Sequence, residues 1–286
     1  MHSPRKTNTF GDFPKKYSDP RGAKIAILPV PYDGTSTYGK GADKGPAALL
    51  AASYQLENYD IETKAEVYKH GIYVEKPVTE KRTPEKMTEA VETRVTKILG
   101  KHKYCVMLGG EHSVTPGAVR AHAKKYKDLT VLQLDAHTDM RDSYQGSDNN
   151  HACAMARVKE FNPVQVGIRS IDIGELRNIR MDRVFFAKDI HDNDVWMDKA
   201  ISKLGKNVYV TIDLDVFDPA LMPSTGTPEP GGLDWYRVLR FLKKVVAKRT
   251  VVGFDVVELL PRKDAPAPDF LAAKLVYTLL SYIFSK

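Results

Sequence analysis

Two cysteines in 286 residues, Cys105 and Cys153, are too few for a disulfide framework and form no close-spaced thiolate metal or redox pair. A reducing, cytoplasmic setting is the expectation, with Cys105 a small buried hydrophobe inside an apolar run. The apolar core of a signal peptide is missing from the polar, mixed-charge stretch Met1 to Asp19. Long hydrophobic runs are scarce as well. The most apolar stretch, Phe270 to Phe284, contains Lys274 and falls short of the roughly 20 residues a membrane span needs. It reads as a C-terminal helix capped by Asp269 and buried in the core or in a subunit contact, and no membrane partner is expected. Charge of one sign is not concentrated either. Lys+Arg 43 against Asp+Glu 36 leaves +7, but the basic residues are scattered in pairs such as Lys15-Lys16, Lys124-Lys125 and Lys243-Lys244. Without a basic stripe or a recognised motif, no nucleic-acid partner is expected.

What is present is the balance of a soluble globular chain, 42% hydrophobic and 28% charged. No repeat, low-complexity tract or linker divides it, so 1–286 reads as one domain with a polar N-terminal arm over 1–22. Apolar strand-like runs at 24–30, 104–108, 129–134, 164–169, 208–212 and 251–257 alternate with helical spacing. Gly45-Pro46 introduces a short helix. Thr83-Pro84 caps another, with Met87, Val91, Val95, Ile98 and Leu99 on one face before Gly100. Further helices are predicted from Thr115-Pro116 and over Asp234 to Ala247. This alternation predicts an α/β fold with a mainly parallel sheet covered on both faces, whose ligands gather beyond the carboxyl ends of the strands.

Three of the apolar runs end in ligand-type residues. Leu129 to Leu134 leads into Asp135-Ala136-His137-Thr138-Asp139. With a two-residue period, Asp135, His137 and Asp139 project toward one side as the strand ends. Two carboxylates and an imidazole crowded together call for a cation. Alone, the segment reads equally as a solvated loop with local capping bonds. The run at 104–108 leads into Gly109-Gly110-Glu111-His112-Ser113, however, and the run at 208–212 into Asp213-Leu214-Asp215. Together His112, Asp135, His137, Asp139, Asp213 and Asp215 suffice for a binuclear site. Oxygen-rich ligation with a minority of imidazole suits Mn(II), two per chain, although zinc, cobalt and nickel accept the same donors. Asp255, inside an apolar strand, reads as a hydrogen-bonded supporter, and Asp33 as a turn residue.

The combination of Gly-Gly-Glu-His-Ser, Asp-Ala-His-Thr-Asp and Asp213-x-Asp215-x-x-Asp218-Pro219 resembles the ureohydrolase family of arginases and agmatinases. The resemblance extends to Pro29 to Asp33, Gly167 to Ser170, Thr225 to Leu233 and Asp255 to Glu258, and so spans most of the chain. Gly226-Thr227-Pro228-Glu229-Pro230-Gly231-Gly232-Leu233 is more similar to the agmatinase branch. The resemblance implies a three-layer α/β/α sandwich, two Mn(II) ions and a homotrimer or homohexamer. It implies His112, Asp135, Asp139 and Asp213 around one ion, and Asp135, His137, Asp213 and Asp215 around the other, with Asp135 and Asp213 bridging. It further implies His151 as proton shuttle, Asp139 as proton relay, Glu258 as guanidinium anchor and Thr227 as a substrate-facing threonine. The expected reaction is attack of a metal-bridging hydroxide on the guanidinium carbon of agmatine, giving putrescine and urea. Guanidinobutyrase, aminopropylagmatine ureohydrolase, arginase and formimidoylglutamase are the sibling readings. A non-catalytic metal-binding relative is the reading from another class. Ser224 and Ala156 depart from the family pattern, which carries glycine and arginine there.

Overall fold

The computed structural model describes residues 9–285. Its centre is one parallel sheet of eight strands: β1 Ile25–Val30, β2 Ile72–Val74, β3 Tyr104–Gly109, β4 Leu129–Leu134, β5 Val164–Ile168, β6 Val184–Phe186, β7 Asn207–Asp213 and β8 Thr250–Val257. The central strands are apolar and buried along nearly their whole length, as strands covered on both faces must be. Helices α1 Gly45–Ser53, α2 Pro84–Gly100, α3 Thr115–Lys125, α4 Ala187–Ile190, α5 Val195–Ser202, α6 Trp235–Lys248 and α7 Ala267–Phe284 supply that cover. Two apolar clusters result. One unites α1, α5, α6 and α7 with side chains such as Ile27, Val210 and Phe254; the other unites α2 and α3 with Leu28, Met107 and Val131. Successive residues of one strand enter opposite clusters, so this is the expected three-layer α/β/α sandwich.

Local signals act where the sequence places them. Thr83 accepts a hydrogen bond from Lys86 N ahead of Pro84, and Asp234 does the same for Arg237 N ahead of α6, whose Val238, Leu239, Phe241, Leu242, Val245 and Val246 form the buried stripe. Asp269 does not cap α7: the helix opens after Pro266, and Asp269 lies inside its first turn, where a carboxylate meets the positive end of the helix dipole. Among the described residues α7 alone has the length and composition of a membrane span, yet it is mostly buried and packs on α1 and α6. Residues 1–8 of the expected arm lie outside the described residues. From Thr9 onward the chain packs inward, with Phe10 fully buried and stacked on Tyr277.

The strand order is β2-β1-β3-β8-β7-β4-β5-β6. The two strands with no counterpart in the sequence reading, β2 and β6, have three residues each and form the edges, too short for a periodic signal. The order also makes β3, β8, β7 and β4 consecutive neighbours, although they are dispersed along the chain. Their carboxyl ends therefore form one continuous rim.

Candidate metal centre

Each of those four strands delivers a side chain to the rim as its ladder ends. After β3 the chain turns at Gly110, where any Cβ would sit 1.8 Å from the Tyr32 carbonyl oxygen; only glycine lets the turn approach the loop after β1 this closely. Glu111 N and Gly110 N donate to Tyr32 O and Val30 O, and His112 is thereby held over the sheet. After β4, Asp135 Oδ1 accepts from His137 N at 2.6 Å, and Gln133 Nε2 donates to Asp135 Oδ2 at 2.7 Å. At the end of β7, Asp213 Oδ1 accepts from Asp215 N, and Asp215 Oδ1 accepts from Ala136 N. The β4 and β7 termini are thus tied together by the ligand-type carboxylates themselves.

The six sequence-predicted ligands converge. His112 Nδ1 lies 3.1 Å from Asp135 Oδ2, 3.0 Å from Asp139 Oδ2 and 3.4 Å from Asp213 Oδ2. His137 Nδ1 lies 2.9 Å from Asp215 Oδ2 and 3.6 Å from Asp135 Oδ1. Two sets able to hold an ion emerge, His112 with Asp135 and Asp213, and Asp135 with His137 and Asp215. Asp135 is common to both; Asp213 stands in the first set only.

Whether these residues suit metal ions is decided by their protons and charges. Thr211 Oγ1 donates its hydrogen to Asp255 Oδ1 at 2.6 Å and stands 2.9 Å from His112 Nε2. Having no second hydrogen, Thr211 accepts from Nε2–H, so Nδ1 is the nitrogen turned toward the three carboxylates and, once free of its proton, the one able to bind an ion. That Nδ1 is buried and makes no hydrogen bond. Burial, together with Asp215 and Asp135, drives the Asp213 carboxyl well above the ordinary range, and burial with Asp135 lifts Asp139 to about 6. Four buried carboxylates cannot all stay ionised on two imidazoles. The cluster is short of positive charge, and divalent cations fit both the deficit and the oxygen-rich donor set.

The cluster forms the floor of a cavity of about 230 Å³ lined by Asp139, His137 and Asp213 below and by Thr37, His151, Thr227 and Glu258 on the walls. All the sequence-predicted catalytic and substrate residues therefore border one space. Glu258 accepts from His112 N at 2.8 Å and has His151 Nδ1 3.7 Å away, with no Lys or Arg bonded to it among the described residues. Burial, with Glu111 nearby, pushes its carboxyl well above the ordinary range. Glu258 and Asp139 both have left-handed backbones, φ 64 and φ 52, which is strained for these side chains. The surroundings enforce this strain: Glu258 N donates to Gly110 O, and Asp139 O accepts from the N–H groups of Met155 and Ala156. Ala156 is thus a buried residue behind Asp139, and Ser224 is buried with its hydroxyl unpartnered.

Asp33 and Asp255, set apart from the ligands in the sequence, have supporting parts. Asp33 is not among the cavity-lining residues and accepts from Gly41 N, as a turn residue does. Asp255 supports from within, accepting from Thr115, Tyr209 and Thr211. The outer wall comprises Arg141, Tyr144, Asp172 and Glu175. Arg141 lies over the Tyr144 ring and pairs with Asp172 at 3.2 Å and Glu175 at 3.4 Å, while Glu175 also accepts from Thr138 Oγ1. One signal was readable: Gln133 and Gln165 interrupt apolar strands, and both are buried, bonded to each other and to the carbonyls of His137 and Thr138.

Comparison with known proteins gives the family. A family model described as the Arginase family matches residues 23–281. An N(1)-aminopropylagmatine ureohydrolase of Synechocystis is 39% identical over 99% of this chain and 97% of its own length. An agmatinase of Pyrococcus horikoshii is 34% identical over 92% and 93%. The crystal structure of an agmatine ureohydrolase of Thermoplasma volcanium superposes with a TM-score of 0.85 at 31% identity, covering 100% of this chain and 96% of that one.

Proposed function

This chain belongs to the arginase family and is a ureohydrolase, and from that premise we propose that it removes urea from the guanidinium end of a linear guanidino-amine, N(1)-aminopropylagmatine ahead of agmatine. The products would be urea with spermidine or with putrescine. The observation that carries the reading is Glu258, a buried carboxylate with no Lys or Arg bonded to it among the described residues, on the wall above the six candidate metal ligands. A carboxylate matches the planar fork of a guanidinium with two charge-assisted hydrogen bonds. Agmatine is the simpler substrate, but the relative named for aminopropylagmatine is the more identical of the two quoted. The outer wall adds support: Asp172 and Glu175 outnumber Arg141, leaving a net negative charge where the tail of a polyamine would pass.

His112, Asp135, His137, Asp139, Asp213 and Asp215 would hold the ions, Mn(II) by preference, with Asp135 the side chain common to both sets. When bound, the pair supplies Lewis acidity and a water of lowered pKa. The chain's own residues do the rest. Glu258 orients the guanidinium and fixes which face of its carbon is turned to the floor, while Thr227 lines the same cavity. The Asp139 carboxylate takes the proton given up by the attacking water and passes it to the departing amine nitrogen as the C–N bond breaks. His151, on the wall and 15% exposed at its side chain, exchanges protons between the site and solvent to restore the starting protonation state. A cytoplasmic location and assembly as a trimer or hexamer belong to the same reading.

Urea release over a panel of N(1)-aminopropylagmatine, agmatine, guanidinobutyrate and arginine tests it. The two cationic substrates should show the highest kcat/KM. If a carboxylated one leads, Arg141 rather than Asp172 governs the tail and the substrate assignment is wrong; no urea from any of the four would favour a binding protein.

A further inference from the structure

His151 enters the cavity from a short turn, His151–Cys153, whose first N–H is held by a hydroxyl of the loop after β1. The His151 backbone N–H donates to Thr35 Oγ1 at 2.9 Å. The Thr35 hydroxyl in turn faces Glu111, with both carboxylate oxygens at 2.8 Å. A hydroxyl has one hydrogen. Because that hydrogen goes to Glu111, the Thr35 oxygen is left as the acceptor for His151. Glu111 is fully buried, has no Lys or Arg partner among the described residues and is not among the cavity-lining residues. Its other donors are Thr35 N at 3.0 Å, Ser36 Oγ at 3.3 Å and Ser113 Oγ at 2.7 Å. All four bonds converge on the loop after β1 or on the turn after β3. The Thr35 carbonyl is also reached by the Asn150 side chain at 3.4 Å, and Asn150 Oδ1 caps Ala152 N. Two residues on, Thr37 Oγ1 stands 3.4 Å from His151 Nε2.

We propose that Glu111 and Thr35 form a positioning pair that sets where the His151 imidazole stands over the cavity, acting on proton exchange and not on metal binding. A buried carboxylate without a cation is costly unless its acceptors are filled. Here the filling fixes one particular orientation of the Thr35 hydroxyl, which in turn fixes the backbone from which His151 projects. Thr35 is therefore a positioning residue through which Glu111 acts on an imidazole it does not touch, although Glu111 is the sequence neighbour of His112. The inference rests on the reading of His151 given under the proposed function.

The test is a double-mutant cycle on the metal-replete full chain with N(1)-aminopropylagmatine, or agmatine if that is the better substrate. The variants are Thr35→Val, Thr35→Ser, His151→Ala and the double variant Thr35→Val/His151→Ala. Thr35→Val keeps the volume but deletes the acceptor. It should lower kcat by about tenfold or more with KM little changed and metal content at the wild-type level, and Thr35→Ser should restore kcat to within about threefold of wild type. In the His151→Ala background, Thr35→Val should cost less than about twofold more, because the group it positions is gone. If Thr35→Val keeps wild-type kcat while His151→Ala is impaired, or if the two losses multiply, the positioning pair is refuted and the His151 reading stands. If His151→Ala itself turns over normally, both fall. Should Thr35→Val not fold, Glu111→Gln takes its place in the same cycle, with the same criteria. Loss of metal from a folded Thr35→Val or Glu111→Gln protein would assign the pair to the metal site and overturn the inference.

Discussion

Glu258→Gln isolates the guanidinium anchor. The substitution nearly preserves volume, and the side-chain oxygen that accepts from His112 N at 2.8 Å can be kept as the amide carbonyl. The change falls on the other oxygen, which becomes an NH₂ aimed at the substrate. A hydrogen bond to a charged group contributes about 1.5–3 kcal/mol, and facing an N–H with an N–H adds roughly 1 kcal/mol of unsatisfied polarity. The sum of about 2.5–4 kcal/mol corresponds to roughly two to three decades in kcat/KM. The loss should be shared between kcat and KM, since the same bond holds the guanidinium and orients its carbon. Steady-state urea release on metal-replete protein measures it. Elemental analysis should return wild-type metal content, because Glu258 is in neither ion-holding set. Activity within about fivefold of wild type would remove Glu258 from the site, since no orienting bond to a charged partner is that cheap to lose.

Two further outcomes are expected. Elemental analysis after dialysis should find two divalent ions per chain, and Asp135→Asn, which alters the one side chain common to both sets, should weaken both sites, whereas His137→Ala should weaken one; a single ion in the wild-type protein would end the binuclear reading. His122 is fully buried and burial pulls its imidazole down to about 4, against about 6.5 in the unfolded chain. Between those values the unfolded state binds a proton that the folded state refuses, so stability falls as pH drops through that window, by about 2 kcal/mol at pH 5 relative to pH 7. Denaturant unfolding of wild type and His122→Asn at the two pH values should differ by that amount, and identical pH dependence would mean His122 is not buried neutral.

The legibility of this site in the sequence follows from how parallel sheets are built. Strands buried on both faces are long apolar runs, so all six central strands, and the residues just beyond them, could be read directly. His112, Asp135, His137, Asp139, Asp213 and Asp215 were visible because each interrupts or terminates such a run with a residue that burial would penalise. Three-residue edge strands such as Ile72–Val74 carry no such contrast. Nor does the sequence say which strands are neighbours. His112 and Glu258 are 146 positions apart, yet bonded, only because β3 and β8 pair directly. The outer wall was the least legible part: Arg141, Asp172 and Glu175 look like ordinary surface charges until folding places them around one cavity.

The two left-handed residues sharpen that distinction. Lys64, His102, Asp128, Gln145 and Asn162 also have positive φ, but none of them is among the cavity-lining residues. Asp139 and Glu258, by contrast, turn into the cavity with backbones that glycine would adopt more readily. Neither can be glycine if its carboxylate is what the position is for. The strain persists because each residue's backbone is bonded to a neighbouring loop, Asp139 to the Met155–Ala156 turn and Glu258 to Gly110. The bend at the end of β8 sends the Glu258 side chain back over His112 when a continuing strand would carry it away from the floor. Residues Asp139 and Glu258 are therefore where local backbone preference and site geometry disagree, and the fold holds the geometry. This conflict between residue type and backbone exists only in three dimensions, so the sequence, which names both carboxylates, carries no sign of it.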